Sequence, residues 1–120
     1  MITIVANFTR PSLDVPFFTM PSAYKDEFMT RYRYTGKSTS TLTTVADNGL
    51  SSTAATVWRT RLDFTEYLQD PLSETMRTAR IAYCEANGIV VDVTATFTPS
   101  VDDLADTALP EDVVNTTKGA

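Results

Sequence analysis

A chain of 120 residues with 15 acids, 10 bases, no histidine and one cysteine is one ordinary domain, long enough to bury a core without disulfides or bound metal. Lacking histidine and a second thiol, it has neither the usual ligand sets for zinc, copper or haem iron nor a Ser-His or Cys-His nucleophile pair, so no metal, no cofactor and no catalytic residue is expected. Its apolar runs fall far short of the roughly 18–20 residues that cross a bilayer, and it opens in strand-like alternation rather than with a basic and apolar leader, so cytosolic assembly with no membrane partner is expected.

The first strand is residues 2–9, where Ile2, Ile4, Ala6 and Phe8 alternate with Thr3, Val5, Asn7 and Thr9 at the period of a half-buried strand. A connector follows, "RPSLDVPFF". Its prolines, Pro11 and Pro16, prevent regular pairing and set an extended path across the end of a sheet. Phe17 and Phe18 are adjacent; in an extended segment they point opposite ways, one inward and one outward. The outward ring is expected to be a protein contact. Ser22 then stands where an N-cap belongs, and Tyr24, Phe28 and Tyr32 recur every four residues until Gly36, which reads as a first helix.

Residues 38–46 are β-branched and polar, Asn48-Gly49 marks a turn, and "SSTAATVWRTRLD" resumes strand character, giving a hairpin. Asp63 with Glu66 has the spacing of a capping box, and Phe64, Leu68, Leu72, Met76, Ala79 and Tyr83 form a helical stripe. Asp70-Pro71 is itself an N-cap followed by a first-turn proline, so a short helix bends into a longer one. Gly88 followed by Ile89 has the form of a Schellman stop. Ile89, Val91, Val93, Ala95 and Phe97 then alternate with polar residues and Val90 in a last strand.

The order βαββαβ predicts an α+β, ferredoxin-like domain over residues 1–98: a four-stranded antiparallel sheet in the order 4-1-3-2 with two helices on one face. Residues 99–120 hold five acids against one lysine and read as an extended acidic C-terminal arm. The strand residues facing away from the helices are mostly threonine, serine, asparagine and valine, which suits either solvent or a second protein. Trp58 is an anchor on such a face or a core residue. Cations of "RYRYTGK" (Arg31, Arg33, Lys37) complement the end of the first helix, and in an acidic chain nucleic acid is disfavoured as a partner. Arg59, Arg61, Arg77 and Arg80 are expected in surface pairs with Glu74, Glu66 or Asp63. Cys84 reads as a small buried hydrophobe.

Taken together, "NFTRPSLDVPFF", "TVWRTRLDF" and "YLQDP" with "ARIAYCEANGI" resemble short proteins of marine tailed bacteriophages, over about residues 1–98. That resemblance implies a virion protein and carries no active site with it. The chain is also similar in pattern to dimeric α+β-barrel proteins, including antibiotic-biosynthesis-type monooxygenases, which pair sheets face to face; their haem-degrading branch uses histidine, absent here.

The expectation is a non-enzymatic component of a tailed-phage virion, a capsid decoration or a neck or tail accessory protein, located in the particle after assembly in the host cytoplasm. Its partners are other virion proteins and copies of itself, with Phe17, Phe18, Trp58, Val101, Leu104 and Leu109 as contact residues. The alternative is a small dimeric α+β-barrel enzyme or ligand-binding protein, monooxygenase-like, with a pocket between sheet and helices lined by Phe17, Phe18, Tyr24, Trp58 and Tyr83.

Overall fold

The computed structural model describes residues 1–99. Apart from Pro99, the expected arm at 99–120 with Val101, Leu104 and Leu109 lies outside the described residues. The elements are β1 (Ile2–Thr9), α1 (Ser22–Phe28), a π-helical turn (Met29–Arg33), β2 (Ser38–Val45), β3 (Ser51–Trp58), α2 (Arg61–Gln69), α3 (Pro71–Asn87) and β4 (Val90–Phe97). All strand pairs are antiparallel and the sheet order is β2-β3-β1-β4, as the pattern predicts. Among the described residues no helix is long and apolar enough to cross a membrane.

Register decides which side chains share a face. Ile2, Ile4, Ala6 and Phe8 lie opposite Trp58, Thr56, Ala54 and Ser52 on one side and Phe97, Ala95, Val93 and Val91 on the other; this is the side the helices cover, since Ala6, Ser52 and Trp58 are buried. A bulge between Ser38 and Ser40 adds one residue to β2 and leaves Thr41, Thr43 and Val45 on that same side.

Trp58 is 1% exposed, so of the two places open to it in the sequence it occupies the core, not an outer contact surface. Six rings gather there: Trp58 lies 4.8 Å from Tyr67, 5.5 Å from Tyr32, 5.7 Å from Phe64 and 6.0 Å from Phe28, and Tyr24 stands 6.5 Å from Phe28. Edge-on and tilted pairs of this kind add about 0.5–1.5 kcal/mol each beyond the area they bury. The indole N–H donates to Thr56 Oγ1 at 3.2 Å, so the ring carries no orphaned polar atom inward.

Helix boundaries differ from the sequence pattern at two places. The cap of α2 is Thr60, whose hydroxyl accepts the Asp63 N–H at 3.1 Å; Asp63 is inside the first turn, its carboxylate held by Arg59 at 3.0 Å. A threonine three residues before an acid meets the same capping geometry, and it wins because Thr60 is still extended when the chain leaves β3. At α1 the preceding Pro21 is the N-cap position, and Ser22 is already helical.

The stripe across α2 and α3 breaks at Asp70-Pro71. Asp70 is extended and its carboxylate accepts the Leu72 N–H at 3.0 Å, starting a new helix with proline in its first turn. A new helix restarts the phase, so Leu68 is 39% exposed while Ser73 and Cys84 are buried. Gly88, with φ of 69°, then ends α3, and the Ile89 N–H returns to the Cys84 carbonyl at 2.9 Å, the expected Schellman arrangement.

Asp70 also receives Arg31 at 2.9 Å and the Tyr32 hydroxyl, so one carboxylate ties α3 to the end of the first helix. Burial pushes its carboxyl up, but the donors Tyr32, Arg31 and the Leu72 N–H outweigh that, and the net direction is down. Because the folded value lies below the unfolded one, the stabilisation is complete above about pH 4 and is lost as pH falls through the folded value. Asp70→Asn keeps a capping side chain without the charge; it should cost about 1–3 kcal/mol at neutral pH and shrink the acid-induced loss of stability in urea titrations. An acid limb identical to that of the parent chain would contradict this role.

Candidate functional site

The helix-covered face is filled unevenly. Around Trp58 it carries the six-ring cluster; toward the other end the sheet offers Ala6, Ala54 and Ser52, side chains too short to reach the helices. The unfilled space is a cleft of about 320 Å³. Its sheet wall is Phe8, Thr43, Ser52 and Ala54, its helix wall Lys25 of α1 with Arg80 and Cys84 of α3, and its remaining wall Ile89 and the connector residues Phe17, Phe18, Thr19 and Met20.

The connector is held in that position from three sides. Arg10 donates to the Gly49 carbonyl at 2.8 Å and the Val15 carbonyl at 3.0 Å, and its guanidinium lies 4.4 Å from the Phe17 ring centroid. Its backbone N–H reaches the Leu50 carbonyl at 2.9 Å, so the hairpin turn and the connector share one cation. Gly49 has φ of 74°, a left-handed conformation that favours glycine, and it sits against the Leu13 side chain of the connector. At the far side Tyr83 donates its hydroxyl to the Pro16 carbonyl at 2.6 Å, and its ring lies 5.6 Å from Phe18.

Phe17 and Phe18 both line the cleft and both are half-buried. The expected division into one inward and one outward ring does not hold, since both rings border the cleft. Of the pocket expected under the alternative reading, Phe17 and Phe18 are present, Tyr83 supports the wall from behind, and Tyr24 and Trp58 belong to the ring cluster. Thr43, Ser52, Lys25 and Arg80 are the residues that sequence reasoning missed. They lie on four different elements, and only strand register and helix phase bring them together.

Among the described residues neither Lys25 nor Arg80 makes a salt bridge. Arg80 instead lies 5.5 Å from the Phe8 ring centroid, not in the surface ion pair expected of it. Arg77 likewise turns to the Leu68 carbonyl at 2.8 Å, and Arg61 is buried with its guanidinium 3.6 Å from the Phe97 ring; Arg59 forms its expected pair with Asp63. The cations of the "RYRYTGK" stretch are engaged locally: Arg31 with Glu27 and Asp70, Lys37 with Glu66 at 2.6 Å, and Arg33 toward the Ser38 carbonyl.

Cys84 is buried in the cleft wall, and burial pushes its thiol up against the opposing pull of Arg80. It is therefore a neutral thiol near pH 7, neither nucleophile nor base. Tyr24, beneath the cleft in the ring cluster, is a neutral phenol pushed up to about 12, chiefly by burial. No cluster of three or more histidine, cysteine, aspartate or glutamate side chains is placed to hold a metal ion among the described residues. The cleft can enclose an apolar, aromatic body and neutralise negative charge on it; its own walls carry no group ready to remove a proton.

No protein-family model matches the chain, and no curated protein does. Solved structures that share the fold include the following two. A provisionally assigned antibiotic biosynthesis monooxygenase from Deinococcus radiodurans superimposes with a TM-score of 0.50 at 9% identity, over 84% of this chain and 95% of the other. A variant of SnoaB, a cofactor-independent oxygenase from Streptomyces nogalater, does so with a TM-score of 0.53 at 17% identity, over 92% of this chain and 97% of the other. At these identities the likeness establishes the ferredoxin-like fold of that monooxygenase type.

This corrects the expectation of a non-enzymatic virion component. The fold is shared with proteins described as oxygenases, which favours the alternative reading, and nothing in the comparisons indicates a phage origin or bears on a virion location. Missing histidine and an uncovered sheet face do not exclude a cleft, because the cleft is assembled from residues far apart in the chain.

The buried state of Cys84 gives a direct probe of the cleft. An aromatic disulfide at pH 8 should label it at least about tenfold more slowly in the folded chain than in urea, with further slowing when an aromatic acid is present. Equal rates in the folded and unfolded chain would show that the wall is not closed over the thiol.

Proposed function

We propose that the chain is a small-molecule-binding protein of the monooxygenase-like type that takes an aromatic compound as its anion into the cleft between sheet and helices, and that the reaction is oxygenation. The observation that carries this is the pairing of aromatic and apolar walls with two cations, Lys25 and Arg80, that have no acidic partner among the described residues. Convergent charge in an otherwise apolar cavity orients a ligand and favours its ionised form.

The chemistry suits such a site. With a neutral thiol and two cations in its walls, the cleft lowers the acidity barrier of the substrate instead of supplying a base: an enolisable aryl ketone gives its proton to water, and Lys25 and Arg80 stabilise the resulting anion. The carbanion's electron pair forms a bond to one oxygen of dioxygen, and the other oxygen takes a proton. Loss of water from that hydroperoxide leaves a carbonyl, so a CH2 group and O2 become C=O and H2O. The substrate supplies all the electrons. Support for the oxygenase reading comes from the fold shared with the two oxygenases; support for an aromatic substrate comes from Phe8, Phe17 and Phe18.

Titration with aryl 1,3-diones and aryl carboxylic acids tests the binding step, and an oxygen electrode tests the reaction. Lys25→Ala and Arg80→Ala should each weaken binding of the anions by about tenfold and leave binding of the corresponding neutral esters unchanged. Affinity for anions that ignores both substitutions would remove the basis of this reading.

We also take the outer sheet face to be where a second copy of the chain packs. Val5, Ala55 and Val57 are only half-exposed and Leu42 and Val90 are exposed there, beside threonines that accept burial at little cost. Ala55→Glu would place a charge at the middle of this face, between Val5 and Leu42, and should convert a dimer to a monomer in light scattering; a parent chain that is monomeric at high concentration would refute the pairing.

A further inference from the structure

A second cavity, of about 190 Å³, lies beside the first, along the edge where α3 passes β4. Arg80, Cys84 and Ile89 belong to the walls of both. Ile81, Glu85 and Val91 complete the smaller one. Cys84 and Ile89 are buried and form a common floor, whereas Arg80 is half-buried and stands between the two spaces on a long side chain held by no salt bridge among the described residues. Such a side chain changes rotamer cheaply while its cationic head remains in place beside a ligand.

The smaller cavity is apolar where the larger is aromatic. Ile81 is 52% exposed and Val91 37% exposed, large aliphatic side chains that would gain by being covered. They face each other across a helix and an edge strand, and no ring lines that space. Glu85 borders it and would repel a second negative charge.

Resting on the reading of the main cleft as an anion-binding site, we propose that the two cavities hold one ligand: an aromatic acid whose ring fills the main cleft, whose anionic group is read by Lys25 and Arg80, and whose uncharged aliphatic tail runs past Arg80 over Ile89 between Ile81 and Val91. The ligand class is thus an aromatic anion, enolate or carboxylate, that carries an alkyl side chain, not a compact aromatic anion. Glu85 sets the end of the tail, which excludes a terminal carboxylate.

The test is calorimetric titration of 2-naphthoate and its ethyl, butyl and hexyl derivatives. With the parent chain the dissociation constant should fall by about twofold to fourfold for each added methylene, and a terminal carboxylate on the tail should abolish that gain. Ile81→Asn and Val91→Asn, which add no charge beside Arg80, should flatten the series and leave unsubstituted 2-naphthoate unchanged. Both positions are partly exposed, and Val91→Thr, nearly isosteric, serves if the strand variant does not fold. Binding of naphthoate with no dependence on tail length, or a dependence that survives the substitutions, overturns the tail site alone. Failure of every member to bind overturns the anion cleft and the tail site together.

Discussion

The structure depends on one constraint: a single sheet face carries its largest and its smallest side chains at opposite ends. Trp58 fills the space between β3 and the helices so completely that the rings of Tyr67, Tyr32, Phe64 and Phe28 are positioned by contact with it. Ala6, Ala54 and Ser52, on the same face four to six residue pairs away, cannot do this. Helices spaced for tryptophan at one end stand off from alanine and serine at the other, and close packing turns that mismatch into a cleft. The cavity and the core are two consequences of the same spacing.

Rigid support surrounds the cleft without crossing it. Arg10 joins the hairpin turn to the connector, Tyr83 fixes the connector to α3, and Asp70 fixes α3 to the end of the first helix. The Arg10 and Tyr32–Asp70 bonds are partly buried, where hydrogen bonds are stronger than on an open surface, while the Tyr83 and Arg31 ties are exposed. Lys25 and Arg80 are left out of these ties. Arg31, Lys37 and Arg59 are paired with acids, whereas Lys25 and Arg80 border the cleft without a salt bridge among the described residues.

That combination places the burden of ionisation on the substrate. Cys84 is held neutral by burial, and the cleft has no carboxylate in its walls. Under the proposed reading such a site would act by stabilising developing negative charge, not by proton abstraction, and so would take a substrate acidic enough to lose its own proton. The absence of histidine, which argued against hydrolytic and metal chemistry, sets no bar to that route.

Local features were legible in the sequence because their causes are local. Alternation in residues 2–9 and 89–97, the Asn48-Gly49 turn, the Asp70-Pro71 break and the Gly88-Ile89 stop act through backbone geometry within a few residues, and the strand order followed from them by the handedness of crossovers. Two local readings still failed where competing groups were equally good: Thr60 displaced Asp63 as a cap, and the break at Pro71 reset the stripe that would have buried Leu68. The cleft was not legible. Ser52, Ala54, Thr43, Lys25 and Arg80 are unremarkable as single residues, and their meeting depends on the register of three strands and the phase of two helices. The sequence by itself determined the elements, the topology and the identity of the bulky and small residues; only the tertiary structure decided that the small ones face the same gap, because a gap is a property of distance between elements and no local pattern encodes it.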